Sequence, residues 1–173
     1  MRPKNIAYAC LVVLCLTACS PALNWRETPI DASSLVSLFP CKPQKSSRVV
    51  ALAGKDVELF MASCEAAGVT AAVGHARIQD PTLVGPVLLQ WRSATLNGMR
   101  AKTSFVSSFA LERATPMPQS VQVQASGRGA DGRALDLRAA WFAQGKEVFV
   151  ALLYAETLGP DVTDPFFSGL KFR

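Results

Sequence analysis

The stretch LDLRAAWFAQGKEVFVALLY, residues 135–154, decides the fold. Its first part alternates apolar and polar residues from Leu135 to Arg138, which is the pattern of a half-buried strand. Gly145 and its polar neighbours supply a turn. Residues 148–154 then form an almost continuous apolar run, which is typical of a strand buried on both faces. We therefore predict an antiparallel hairpin whose second strand is central in a sheet.

Strand patterns also precede this hairpin on the chain. Val121 and Val123 alternate with glutamines directly upstream. Nearer the N-terminus, residues 48–52, 57–64 and 69–78 are rich in β-forming residues and are separated by glycine-containing turns. We expect these three segments to be consecutive antiparallel strands.

One segment between the two groups of strands has helical periodicity. Apolar residues recur at three- and four-residue spacings from Val84 to Thr95, and Gly98 ends the pattern. This is the main helix that the sequence predicts. A second, shorter helix is expected around Phe166 and Phe167 near the C-terminus.

Three segments have weaker patterns. Residues 24–27 are expected to form an edge strand, and residues 31–39 a short helix or turn that starts at the capping residue Asp31. Residues 100–118 are the least regular, because their apolar side chains need burial while two prolines favour a covering loop. The apolar side chains concerned are Phe105, Val106, Phe109 and Leu111.

Strand hairpins, a long helix, three further antiparallel strands and a terminal helix follow one another along the chain. This order predicts an α+β fold, a twisted antiparallel β-sheet with one long and one or two short helices packed on it. The chain of 173 residues has a length that suits one domain with its own core.

The N-terminus has the features of an export signal. Arg2 and Lys4 precede an uncharged apolar run over residues 6–18. As a helix this run spans about 20 Å, too short for a hydrocarbon core of about 30 Å. We therefore interpret residues 1–18 as a signal peptide. Its removal takes two positive charges from the formal net charge of +5.

The apolar run ends in Leu16-Thr17-Ala18-Cys19, which resembles the lipobox of bacterial lipoproteins. The resemblance implies cleavage between Ala18 and Cys19 and an anchor of acyl chains on Cys19, which holds the protein on a membrane. Ser20 in place of aspartate implies transport to the outer membrane of a Gram-negative envelope, with the domain on the periplasmic face. The alternative is an ordinary secretory signal that happens to end in a cysteine.

Cys41 and Cys64 remain of the five cysteines once the signal residues and Cys19 are set aside. An even pair in a chain exported to an oxidising compartment predicts a structural disulfide. It closes a loop of about two dozen residues and contributes about 3 kcal/mol in the chain-entropy account. Two inert buried thiols are one alternative, and a reactive pair is the other, although the pair lacks the usual Cys-x-x-Cys spacing.

The order of elements and several short motifs resemble the PsbP-like family. The motifs are Phe-Pro-x-Lys-Pro at residues 39–43, the late strands around Trp141 and Tyr154, and the ending Phe-Phe-Ser-Gly-Leu at residues 166–170. The resemblance implies an α/β/α sandwich over residues 30–173. It also implies a non-catalytic accessory or assembly role.

Catalytic and cofactor patterns are weak. Gly127, Gly129 and Gly132 match a dinucleotide-binding pattern, but a strand pattern follows them, so we expect a hairpin loop and no nucleotide. His75 has no nucleophile elbow to serve and is expected on a strand as a surface or hydrogen-bonded residue. With one histidine and two paired cysteines, neither a metal site nor a cofactor is expected.

The remaining charged residues are expected to be solvated. The carboxylates considered stand mostly at predicted turns and caps, so we nominate no catalytic pair; they are Glu65, Asp80, Asp131, Asp136, Asp161 and Asp164. The basic residues are scattered, and their meeting in a patch for anionic lipid or glycan is the less favoured interpretation. They are Lys42, Lys45, Arg48, Arg100, Lys102, Arg128, Arg133 and Arg138. The exported location disfavours nucleic acid.

Two functions follow from these observations. The first is a non-catalytic accessory or assembly factor, anchored through Cys19 and acting with an unknown envelope protein. The second is a binding module for a small envelope ligand, namely a lipid, a glycan or a peptide. A deep apolar cavity under residues 100–118 would favour the second function, and two facing carboxylates with perturbed pKa values would indicate a hydrolase. Residues 19–29 are expected to be the lipidated N-terminus and tether.

Overall fold

The computed structural model describes residues 23–173. The predicted signal peptide, Cys19 and the first residues of the predicted tether lie outside the described residues. Within residues 23–173, no helix is both long enough and apolar enough to cross a membrane.

The described chain folds into strands, two α-helices and a short 3-10 turn. The first strands are β1 Arg26–Pro29, β2 Leu35–Phe39, β3 Gln44–Leu52, β4 Lys55–Ala66 and β5 Val69–Arg77. The 3-10 turn Pro81–Leu83 leads into helix α1, Val84–Gly98. The C-terminal elements are β6 Lys102–Ser108, β7 Val121–Arg128, β8 Ala134–Gln144, β9 Glu147–Ala155, α2 Pro160–Ser168 and β10 Lys171–Phe172.

Seven of the strands form an antiparallel sheet in the order β3-β4-β5-β9-β8-β7-β6. β9 lies in the middle of this sheet, and its residues from Val148 to Leu153 are all buried. The predicted hairpin with a central second strand is therefore confirmed. Helix α1 connects β5 to β6, which lies at the far edge of the sheet. The strands β7, β8 and β9 then follow in order, each antiparallel to the one before it, and β9 lies beside β5.

Helix α1 covers one face of the large sheet. Its residues Val84, Val87 and Leu88 are buried in the core that Trp141 of β8 also occupies. Burial of each such side chain contributes about 1.5–3 kcal/mol. Gly74 of β5 lets the helix approach, because a Cβ atom at this position would lie 2.9 Å from the indole ring of Trp91.

A three-stranded sheet in the order β1-β2-β10 covers the other face together with α2. The rings of Phe39 on β2 and Phe166 on α2 meet edge to face, with centroids 6.0 Å apart. Phe172 of β10 lies on the ring of Phe149 in the large sheet, at a centroid distance of 5.4 Å. The layers are therefore α1, the large sheet, and the small sheet with α2. This arrangement confirms the α+β class.

The segment predicted as a short helix or turn, residues 31–39, is a turn followed by β2. Pairing with β1 on one edge and β10 on the other makes the second half a strand. Within the turn, the hydroxyl of Ser33 donates to the carbonyl of Ile30 and accepts from the N–H of Leu35. The polar residues that predict a helix cap therefore stabilise a turn between two strands.

The first strand lies inside the segment predicted as a tether. β1 pairs with β2 in a register that runs from Arg26 opposite Phe39 to Pro29 opposite Val36. Trp25 packs on the same core. The edge strand expected at residues 24–27 is therefore present as β1, shifted by two residues, and it lies within the predicted tether.

Residues 100–118 do not form a covering loop throughout. They contain β6, which pairs with β7 at the edge of the large sheet. Phe109 and Leu111 pack on the core as expected, whereas Phe105 is 55% exposed and Val106 is 51% exposed. The predicted burial of these two side chains is wrong, because no described strand pairs with the outer edge of β6.

Cys41 and Cys64 form a disulfide, with their Cα atoms 5.9 Å apart. Cys41 follows β2 of the small sheet, and Cys64 lies on β4 of the large sheet. The bond therefore ties the two sheets together, and the pairing predicted from the sequence is present.

Candidate ligand cavity around His75

One end of the large sheet has an overhang, because β4 is longer than β5. Pairing between these strands starts at Leu59 opposite Ala76, so residues 55–58 extend beyond β5 and pair with β3 alone. A cavity of about 590 Å³ lies beside this overhanging hairpin and the chain that follows β5. Its volume is in the usual range for small-molecule sites.

The cavity has apolar walls and a charged rim. The apolar lining residues are Ala32, Leu52, Val57, Phe60, Ile78 and Leu83. The charged lining residues, all exposed, are Lys55, Asp56, Glu58, Arg77 and Asp80. An apolar interior with a few polar groups is typical of sites for small organic ligands.

His75 of β5 lies on the cavity wall and is 1% exposed. Register places it between Phe60 on β4 and Phe149 on β9. Its imidazole is stacked with both rings, at centroid distances of 6.0 Å to Phe60 and 4.9 Å to Phe149. Two strands that pair on either side of β5 thus fix the orientation of the imidazole.

No side chain among residues 23–173 hydrogen-bonds a ring nitrogen of His75, and both nitrogens are buried. The Glu147 carboxylate oxygen Oε1 lies 4.0 Å from Nε2, which is beyond hydrogen-bonding distance. The same carboxylate accepts a hydrogen bond from the Arg77 guanidinium at 3.3 Å. His75 lies on a strand as expected, but it is buried and not on the surface, and the backbone of Asp31 is its hydrogen-bonding neighbour.

Burial lowers the pKa of His75 to about 4. A hydrogen bond with the backbone of Asp31 raises this pKa, and the positive charge of Arg77 lowers it. The imidazole is therefore neutral at neutral pH, with one nitrogen that donates and one that accepts. His75 contributes a neutral, buried ring to the cavity wall.

The carboxylates have local structural roles. The Asp80 carboxylate accepts from the N–H and the hydroxyl of Thr82, at 2.9 and 2.7 Å, and these bonds lower the pKa of Asp80. Asp131 pairs with Arg133 in the turn between β7 and β8, and this contact lowers the pKa of Asp131. A general acid for glycoside hydrolysis needs a raised pKa. These two carboxylates therefore lack that property.

Among residues 23–173, no group of three or more His, Cys, Asp and Glu side chains could hold a metal ion. The glycine pattern lies at a hairpin, since Gly132 has a φ of +82° and β8 follows it directly. The N–H of Gly129 bonds the carbonyl of Arg133 across this turn. The predicted hairpin loop is confirmed.

The structure brings three of the scattered basic residues together. Arg100, Lys102 and Arg128 line a shallow surface pocket of about 280 Å³ next to the first residue of β6. Elsewhere Lys45 pairs with Asp31 and Arg133 with Asp131. A patch of basic residues is the less favoured interpretation of the sequence, because the pairing of β7 with β6 cannot be read from the order of residues along the chain.

Sequence reasoning missed the cavity, although the strand pattern around His75 contains a signal for it. His75 is the one polar aromatic residue in a strand otherwise made mainly of small and apolar residues. Such a residue has to be either paired or functional when its strand is central. The position of the cavity itself depends on the unequal lengths of β4 and β5, which only the fold reveals.

No protein-family model matches this chain, and no curated protein is significantly similar to it. The chain is similar to the crystal structure of PA94, a protein of unknown function from Pseudomonas aeruginosa. The sequences are 14% identical, the match covers 69% of this chain and 90% of that chain, and the TM-score is 0.42. A likeness at this level does not indicate a function.

Proposed function

We propose that the protein is a non-catalytic, lipid-anchored binding module of the cell envelope that takes a small, largely apolar ligand. The cavity beside His75 carries this proposal, because its volume and its apolar lining are typical of sites for small organic ligands. The cavity lies beside the β3–β4 hairpin and not under residues 100–118. The expected ligand has an apolar body and a polar group that meets the charged rim of the cavity.

The location is part of the proposal. The lipobox-like sequence that ends at Cys19 supports an anchor of acyl chains, and Ser20 supports the periplasmic face of the outer membrane. The three-layer arrangement of α1, the large sheet and the small sheet supports the PsbP-like α/β/α resemblance. The family's non-catalytic roles agree with a binding module.

Metabolic labelling with palmitate tests the anchor. The Cys19→Ser variant is expected to lose the label and to accumulate as uncleaved precursor, because the lipid is attached to that thiol. Cys15→Ser is the matched control, since it removes a cysteine of the signal peptide and leaves the lipobox intact. Label that persists in Cys19→Ser contradicts the anchor.

Fluorescence titration with the neutral apolar probe N-phenylnaphthylamine tests the cavity. We expect one bound probe per chain, and we expect Val57→Trp to weaken binding because the indole takes up part of the cavity from its wall. Val49→Trp is the matched control, since Val49 is 68% exposed on β3 and does not line the cavity. Binding that is as tight in Val57→Trp as in the unaltered chain contradicts the proposal.

An accessory or assembly role is the second candidate function, and the open edge of β6 favours it. This strand ends the large sheet and presents two apolar side chains to solvent. Crosslinking in native envelopes, followed by identification of the captured protein, tests the role. A captured envelope protein is expected, and a chain that crosslinks to nothing contradicts it.

A further inference from the structure

β6 is an edge strand whose first end carries Lys102 and a bulge and whose remaining part, from Phe105 to Ser108, has neither. It pairs with β7 on one side, and no strand within residues 23–173 pairs with its other side. A bulge between Thr103 and Phe105 interrupts the pairing, so the regular part of the strand begins at Phe105. Phe105 and Val106 are among the few large apolar side chains of the described chain that are exposed. Such an edge is a template for a further strand.

The two apolar side chains lie on opposite faces of the sheet. Val106 stands opposite Val123, which is buried in the core under α1. Phe105 is its direct neighbour on the strand and therefore points to the other face. A membrane surface or a flat protein surface covers one face at a time. An added strand covers both faces, because its own side chains alternate in the same way.

The positive charge at one end of β6 indicates the chemistry of the strand that would be added there. Arg100, Lys102 and Arg128 line the shallow pocket there with Ser126 and Gly127. None of the three basic side chains forms an ion pair in the part of the chain that the structure describes. The guanidinium of Arg128 donates a hydrogen bond to the carbonyl of Gly132 at 2.8 Å, which does not neutralise its charge. Three positive charges around one pocket favour an acidic side chain or a terminal carboxylate.

The opposite edge of the sheet is β3, which presents one exposed apolar side chain, Val49. Lys45 and Arg48 lie along the same strand, and charged side chains of this kind discourage strand addition. Their positive charge also opposes pairing of β3 with β6 of a second copy, which carries Lys102. The formal net charge is +5 for the whole sequence and stays positive after the two charges of the predicted signal peptide are removed, so it acts against self-association in the same way.

We propose that β6 binds an extended, acidic segment of a partner protein by strand addition. The segment has two adjacent apolar residues, one for each face of the sheet, and an acidic group at the end next to Lys102. This inference rests on the accessory role and is independent of the cavity beside His75. It names the surface and the chemistry through which that role is carried out.

Selection of a displayed random-peptide library against the full chain in detergent tests the inference. Enriched peptides are expected to contain adjacent apolar residues followed or preceded by acidic ones. A synthetic copy of the best peptide is then titrated by fluorescence anisotropy. Methylation of alternate backbone nitrogens on the edge that faces β6 is expected to abolish binding, since strand addition needs those N–H groups.

Two pairs of variants separate the edge from the rest of the surface. Phe105→Ser combined with Val106→Ser, and separately Lys102→Glu, are each expected to weaken the peptide at least about tenfold, or about 1.4 kcal/mol. Val49→Ser and Arg48→Glu are the matched controls on the other edge and are expected to leave the affinity unchanged. All five side chains are exposed, so these changes spare the core.

The inference is overturned if no peptide is enriched, or if the enriched peptides bind the β6 variants as tightly as the unaltered chain. It is also overturned if the surface serves a second copy or a membrane. In those cases the β6 variants abolish a dimer in sedimentation, or abolish binding to phosphatidylglycerol vesicles, without affecting any peptide. If envelope crosslinking captures a partner that the β6 variants still bind, the accessory role stands and this surface is wrong.

Discussion

The imidazole of His75 stacks on the ring of Phe149, with their centroids 4.9 Å apart and their planes at 23°. This contact joins β5 and β9 at the middle of the large sheet and places a titratable group in an apolar environment. Glu147 and Arg77 are the charged groups that face it most directly. Burial and the positive charge of Arg77 disfavour the protonated imidazole, so protonation of His75 opposes folding.

The free energy of unfolding should fall as the pH decreases from about 6.5 to about 4. The folded-state pKa of about 4 lies below the ordinary value of 6.5, so the unfolded chain binds the proton more readily. The loss that His75 contributes is about 3 kcal/mol over this interval. Urea unfolding of the unaltered chain and of His75→Phe measures it, because the phenyl ring keeps the stack and cannot titrate. Equal pH dependence in the two proteins would contradict the assignment.

Gly74→Ala should destabilise the fold by about 1–3 kcal/mol, because overpacking of a close contact has this cost. The added methyl group would lie 2.7 Å from Met61 Sδ and 2.9 Å from the Trp91 ring. Gly98→Ala in α1 is the control, since no atom lies within 4 Å of its Cβ position. The control should be neutral or slightly stabilising. Chemical denaturation measures the free energy of unfolding of both variants. Equal changes in this free energy would show that α1 does not pack closely against β5.

Removal of the disulfide should lower the free energy of unfolding by about 3 kcal/mol. The bond between Cys41 and Cys64 has a sequence separation of 23 residues and ties the small sheet to the large one. Urea unfolding of the chain with and without reductant measures the loss, with Cys41→Ala combined with Cys64→Ala as the second test. A reduced chain as stable as the oxidised one would mean that the sheets hold together by packing alone.

Patterns within single elements allowed much of the fold to be predicted. The alternation before Gly145 and the apolar run after it are properties of the two strands themselves, so the central hairpin follows from them. The apolar stripe of α1 and the pair of cysteines outside the predicted signal peptide are equally local signals. The helix and the disulfide predicted from these signals are both present in the structure.

Features that depend on pairing between distant segments were not predicted. The polar residues around Asp31 would suit a helix cap or a turn equally well, and only the pairing of β2 with β10 from the other end of the chain decides between them. The exposure of Phe105 follows from the position of β6 at an edge. The cavity arises because β4 is longer than β5, and no residue type in either strand indicates this difference in length.

The cavity beside His75 is the centre of the proposed function, and nuclear magnetic resonance of the imidazole nitrogens tests it most directly. The chain contains one histidine, so nitrogen-15 labelling of histidine gives one assignable pair of signals. N-phenylnaphthylamine, at the concentration that saturates the unaltered chain, should shift an imidazole nitrogen signal of that chain and of Val49→Trp, and should shift that of Val57→Trp less. A probe that saturates the protein without moving either nitrogen signal would contradict the placement of the ligand beside His75.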